Sequence, residues 1–191
     1  MVLIQIVGVP GAGKSFFLKL MKLNPVKDFN YYEFRDLYDN YKNENNLSKK
    51  IISLYTINDL IRKSNNSVIA SHFVYFIDGN FENNIYFHEY SRSKGYIFIN
   101  ASTEEIKNQI LTDIKNNKRN GEHYTDKKNN RQYYKNNEDL VELIEKYRIL
   151  NLKYLGLICS KLNIQPLKIN NKRGAEIENL NIINNYLNNV I

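Results

Sequence analysis

Gly8-Val9-Pro10-Gly11-Ala12-Gly13-Lys14-Ser15 puts three glycines, one ammonium and one hydroxyl into eight consecutive positions. Glycines at this spacing let successive backbone N–H groups turn into one concavity, where larger side chains would obstruct an approaching anion. A helix beginning at Lys14 would aim the positive end of its dipole at the same point. The Lys14 ammonium can reach the outer phosphates of a nucleoside triphosphate, and the Ser15 hydroxyl suits Mg²⁺. The pattern GxxxxGK[ST] therefore predicts a phosphate-binding loop, or P-loop, in which Gly8, Val9, Pro10, Gly11, Ala12, Gly13, Lys14 and Ser15 cradle the nucleotide.

Such a loop needs a buried strand before it and an amphipathic helix after it. Residues 2–7 form an apolar run suited to a parallel strand covered on both faces. Phe17, Leu18 and Met21 then recur at helical spacing until Asn24-Pro25 stops the helix. Further strands are expected at 26–32, 68–70, 96–99 and 164–169. Helices are expected at about 47–63, 84–91, 102–116, 138–162 and 175–188. Ser102 and Glu105 stand three apart as a capping box. Asp78-Gly79 marks a turn, and residues 117–134, polar and almost free of aliphatics, read as a mobile loop. Strands alternating with helices imply one α/β domain over 1–191, a mainly parallel five-stranded sheet with helices on both faces.

Composition narrows the setting. The chain has 191 residues, a formal charge of +7 and 13% aromatics. Its basic residues are spread out apart from a mild concentration at Lys115–Lys135, with no arginine-rich arm. This argues against nucleic acid as the principal substrate and suits a ligand carrying several phosphates. No segment approaches the ~20 apolar residues of a membrane helix. The single cysteine, Cys159, lies among leucines and reads as a buried reduced thiol, in keeping with a cytoplasmic setting.

No guanine-recognition motif and no signature of transporter or large motor ATPases is evident, which leaves the small nucleoside and nucleotide kinases. The chain resembles that group over nearly its full length, and is most similar to the archaeal-type adenylate kinases and their relatives. The resemblance runs from Val7–Ser15 through Asn30-Tyr31, Ser71-His72 and Ala101-Ser102-Thr103-Glu104-Glu105-Ile106 to Asp113 and Asn130-Arg131. It implies the three-layer P-loop fold with strand order 2-3-1-4-5, and ATP with Mg²⁺ as the donor system, Ser15 being the metal ligand. It also implies an acceptor region at about 30–66 and a lid at about 117–134. The chain departs from the family at Gln109-Ile110, where an arginine pair is usual, and at Asn116 and Lys118. It also lacks an aspartate at the end of the third strand.

Phosphoryl transfer needs two reactants held in line and charge neutralised on the moving group. Lys14 serves the donor. Among Lys115, Lys118, Arg119 and Arg131, the guanidinium groups of Arg119 and Arg131 are favoured to close on the phosphoryl group. The acceptor is expected near Tyr31, Glu33, Phe34, Arg35 and Asp36, with His72 at the edge of the site. A nucleotide-like acceptor would have its phosphate neutralised by Arg35. A nucleoside or other small alcohol would instead use Glu33 as base. A third possibility, from another class, is an ATPase acting as an assembly or regulatory factor. His88 and His123 show no metal-binding spacing, and Tyr and Phe at 73–76 and 86–90 are expected chiefly to pack the core.

Overall fold

The computed structural model describes residues 2–37, 55–56, 59, 66–77, 79–116, 124–126 and 131–190. Strand β1, Leu3–Gly8, is buried at every residue and leads through the glycine loop into helix α1, Lys14–Leu23. The expected face of α1, Phe17, Leu18 and Met21, is the buried one, and the helix ends at Asn24 just before Pro25. Strand β2 occupies Phe29–Glu33 and β3 Asn66–Ala70. A hairpin follows, β4 at Val74–Ile77 and β5 at Asn80–Asn83, turned at Gly79. After the short helix α2, Ile85–Tyr90, come β6, Gly95–Asn100, and α3, Thr103–Lys115. Two-residue strands β7, Thr125–Asp126, and β8, Arg131–Gln132, precede the long helix α4, Asn137–Leu162. Strand β9, Leu167–Asn170, and helix α5, Glu176–Val190, complete the chain.

The main sheet is wholly parallel, in the order β2-β3-β1-β6-β9. Counting only its own strands, this is the expected 2-3-1-4-5. The chain goes to one side of β1 for its second and third strands and to the other for the last two, so the order reverses at β1. Ligands of open α/β sheets bind beyond the carboxyl ends of strands at such a reversal. Helix α1 packs against β2, β3 and α5, while α4 lies over β1 with α2 and α3 beside it. Gln5, buried at the centre of β1, donates to Ser91 Oγ and Ser93 Oγ and accepts from Ser71 Oγ, each at 2.8 Å. Its polar atoms are thereby satisfied where no water reaches.

Several boundaries differ from the sequence reading. The second strand begins at Phe29 rather than 26, because the Val26 N–H is held by the Tyr31 hydroxyl at 2.9 Å and Asp28 adopts φ 67°. The last begins at Leu167, since α4 closes through a left-handed Asn163 and its cap. Part of 117–134 is not loop: β7 and β8 pair antiparallel, and Tyr124 before them is fully buried. The expected helix at 47–63 lies almost wholly outside the described residues. Cys159 is buried, which pushes its thiol up to about 11. No helix among the described residues is long and apolar enough to cross a membrane.

Candidate active site

The loop from Gly8 to Ser15 closes over the carboxyl edge of β1. Gly8 is required by close approach: a Cβ there would collide with the Ile99 carbonyl of β6. Gly13, at φ 100°, caps α1 in a left-handed conformation that a side chain would strain. Three other parts of the chain hold the loop. Asn171 Nδ2, just beyond β9, donates to the Ala12 carbonyl at 2.9 Å. The Tyr124 hydroxyl donates to the Pro10 carbonyl at 3.1 Å. Ile106 and Ile110 of α3 pack against the face of Gly11.

Lys14 is 5% exposed, and its Nζ donates to the carbonyl oxygens of Gly8 and Val9, both at 2.9 Å. Burial pulls its ammonium pKa down to about 7, while the Glu33 carboxylate pulls the other way. Glu33 ends β2, half-buried, so the carboxylate and the ammonium face one electrostatic environment at the sheet edge. The Ser15 side chain is exposed at the start of α1 and lines the adjoining cavity.

That cavity has a volume of about 610 Å³. Pro10, Gly11, Gly13, Lys14, Ser15 and Phe16 form one end of it. One wall is a face of α3 made of Glu105, Asn108, Gln109 and Thr112, and the other consists of Asn171, Arg173 and Glu176, with His72 and Ala101 at the border. The walls are tied together, because the Glu105 carboxylate completes the Ser102 capping box and also accepts the Arg173 backbone N–H. These bonds hold the Glu105 carboxyl below its ordinary value, the Ser102 side chain contributing most.

The expected site residues divide three ways. The loop, Lys14, Ser15 and His72 come together at the cavity, with Glu33 electrostatically coupled to Lys14. Tyr31 does not line the cavity: its ring joins the core and its hydroxyl accepts from Val26. Arg35 and Asp36 are exposed on the helical turn that starts directly after β2, outside the cavity lining. Arg119, Lys118, His123 and the Arg131 side chain lie outside the described residues. The His72 carbonyl is engaged by Nε2 of His88 at 3.2 Å. His88 is fully buried against Phe73, and burial drives its pKa down to about 3, so it stands as a neutral packed ring. Phe73 and Phe87 are core residues, as expected.

No protein-family model matches the chain, and no curated protein matches it. Solved structures do. An uncharacterized protein from Eubacterium ventriosum ATCC 27560 aligns with a TM-score of 0.55 at 12% identity, covering 98% of this chain and 99% of its own. Shikimate kinase from Acinetobacter baumannii, in complex with shikimate, gives 0.54 at 15% identity, covering 99% and 94%. Shikimate kinase from Bacteroides thetaiotaomicron gives 0.52 at 15% identity, covering 98% of both chains. What is shared is the fold. The three-layer α/β architecture spans essentially the whole chain, as it does in these structures.

From the sequence, Gln109 was named only as a departure from the resembling family and Glu105 only as part of a helix cap, while Asn108, Thr112 and Asn171 were not singled out as cavity walls. Asn108, Gln109, Thr112 and Asn171 carry no charge and match no catalytic pattern. The available signal was spacing: 105, 108, 109 and 112 share one face of the helix that follows the fourth sheet strand. The Mg²⁺ expectation fits the donor set in one respect, the Ser15 hydroxyl at the mouth of the loop. Among the described residues no group of three or more His, Cys, Asp or Glu side chains could hold a metal unaided. An ion there would share its coordination with phosphate oxygens and water, as Mg²⁺ favours.

Proposed function

We propose that the chain is an ATP-dependent kinase of a small molecule. The observation that carries this reading is the buried Lys14 ammonium, held on the carbonyls of Gly8 and Val9 beside the first turn of α1 and electrostatically coupled to Glu33 at the next strand end. The loop amides and Lys14 would bind the β- and γ-phosphates, and Ser15 would serve Mg²⁺. When bound, that ion neutralises charge on the phosphates and orients them. Cavity walls fixed by the bonds of Glu105 and Asn171 would hold the nucleoside and set the γ-phosphoryl group towards Glu33.

The acceptor would enter between β2 and the helical turn beginning at Phe34. A nucleotide-like acceptor, with Arg35 on its phosphate, follows from the family resemblance. The position of Glu33 favours a hydroxyl acceptor instead. A carboxylate beside the transfer point repels an incoming phosphate dianion, whereas it can accept a proton from an attacking alcohol. Shikimate, held by the Acinetobacter baumannii enzyme of like fold, belongs to the hydroxylated class. His72 at the border of the cavity could bond a phosphate oxygen or a water as a neutral ring.

The test is transfer from [γ-³²P]ATP to a panel of nucleosides, nucleoside monophosphates and small hydroxy acids, with wild type and Glu33→Gln. Labelled acceptor is expected, with a loss of about 10²–10⁴-fold in the variant at unchanged ATP binding if the acceptor is an alcohol. A small loss in Glu33→Gln would favour the monophosphate acceptor. Label released only as free phosphate and stimulated by RNA would replace the kinase reading with that of an assembly or regulatory ATPase.

A further inference from the structure

Four carbonyls of the glycine loop are engaged by side chains. Lys14 Nζ holds those of Gly8 and Val9, the Tyr124 hydroxyl holds that of Pro10, and Asn171 Nδ2 holds that of Ala12. The Ala12 N–H is also spent, donating to the Val9 carbonyl at 3.1 Å. Among the described residues the N–H groups of Gly11 and Gly13 make no backbone hydrogen bond, and both glycines line the cavity.

A trans peptide is planar, so its N–H and its C=O point in opposite directions. The Pro10–Gly11 and Ala12–Gly13 peptides are trans. The Pro10 carbonyl is drawn towards Tyr124, a fully buried ring in contact with Tyr147, and the Gly11 N–H is thereby turned away from the interior. In the same way, the bond from Asn171 to the Ala12 carbonyl fixes the opposite heading of the Gly13 N–H. The glycines alone do not secure these headings. Gly11 and Gly13 sit at φ 87° and 100°, and glycine takes positive and negative φ about equally readily, so each peptide plane is free to turn unless it is anchored. A carbonyl oxygen turned towards a phosphate repels it, whereas an N–H is a charge-assisted donor to it. Asn171 fits this arrangement closely, since a Cβ on Gly13 would collide with its amide.

We propose that Tyr124 and Asn171 are positioning residues of the phosphate site. Tyr124 aims the Gly11 N–H, and Asn171 the Gly13 N–H, at a bound polyphosphate. The inference rests on the reading of the loop as a phosphate site and deepens it. Tyr124 stands 114 residues from Pro10 and Asn171 stands 159 from Ala12, so neither anchor belongs to the local motif.

The experiment is titration of the full ¹⁵N-labelled chain with inorganic tripolyphosphate and Mg²⁺, followed by amide NMR and by calorimetry. Tripolyphosphate has no nucleoside to contact the cavity walls, so only the phosphate site is read. In wild type the Gly11 and Gly13 amide protons are expected to move downfield on binding. Tyr124→Phe, which keeps the ring, should diminish the Gly11 shift and spare that of Gly13. Asn171→Ala, at a half-buried position, should do the reverse. Each variant should bind tripolyphosphate about three- to tenfold more weakly, the worth of one lost hydrogen bond. A dispersed amide spectrum certifies the fold, and either folded variant decides the matter for its own glycine. Wild-type shifts and affinity in both variants overturn the inference and leave the phosphate site standing. Equal loss at both glycines in each variant shows general loosening of the loop and also overturns it. Should folded wild type bind neither tripolyphosphate nor Mg·ATP, the phosphate-site reading falls and the inference falls with it.

Discussion

At Lys14 two demands oppose each other. A phosphate site here would need a cation, yet the side chain is 5% exposed, and burial lowers its pKa to about 7 in spite of Glu33. In the unfolded chain a lysine keeps its proton to about pH 10.4. Between these values the folded state binds fewer protons, so this residue makes stability rise with pH from about 7 to 10, and the cost of burying its charge is fully present below 7. A polyphosphate reverses the balance by favouring the ammonium. Binding of Mg·ATP at pH 8 is therefore expected to take up close to one proton, falling towards zero below pH 6. Calorimetry in buffers of different ionisation enthalpy measures this directly, and heats independent of buffer at pH 8 would count against Lys14 as the phosphate cation. Residues of this kind were legible early, because the loop's chemistry is local and tolerates few substitutes. The contacts of Tyr31 with Val26 and of Gln109 with Asp113 were not legible, because sequence spacing does not say which polar contact a side chain will choose.

Among the elements, α3 connects most of the site. Its first turn carries the Ser102–Glu105 capping box, its next turn presses Ile106 and Ile110 on Gly11, and its polar face forms a wall of the cavity. Ser102→Ala removes an N-cap acceptor and should cost about 1 kcal/mol in denaturant-induced unfolding. Since Glu105 also holds the Arg173 backbone N–H, the variant should weaken Mg·ATP binding as well. A stability loss with unaltered affinity would show that the cap and the cavity wall act independently. Helices α1, α3 and α4 were readable from apolar spacing and capping residues. The hairpin β7–β8 was not, since two-residue strands in a polar segment give no alternation to detect, and the buried rings that flank them are Tyr124 and Tyr134. The hairpin β4–β5 left only its turn, Asp78-Gly79, in view, because Asn80-Phe81-Glu82-Asn83 is mostly exposed and short of strand formers.

For the molecule as a whole, the parallel sheet with its reversal at β1 puts the strand ends of β1, β2 and β3 at one rim, where Lys14, Glu33 and His72 gather. That layout followed from alternating strands and helices together with family resemblance, and structures at 12% and 15% identity share it over nearly the entire chain. Strand order is a long-range property, so periodicity alone would have left it open. On the kinase reading, the choice of acceptor would depend on side chains between β2 and β3, many of them outside the described residues. The central claim is that this rim binds a polyphosphate through the loop and Lys14, and titration of the folded chain with Mg·ATP tests it most directly. One site per chain is expected, with affinity lost about ten- to a hundredfold in a Lys14→Ala variant of unchanged circular dichroism, removal of a charge-assisted phosphate contact being worth about 1.5–3 kcal/mol. Absence of binding by well-folded wild-type protein, or equal binding by the variant, would contradict the account.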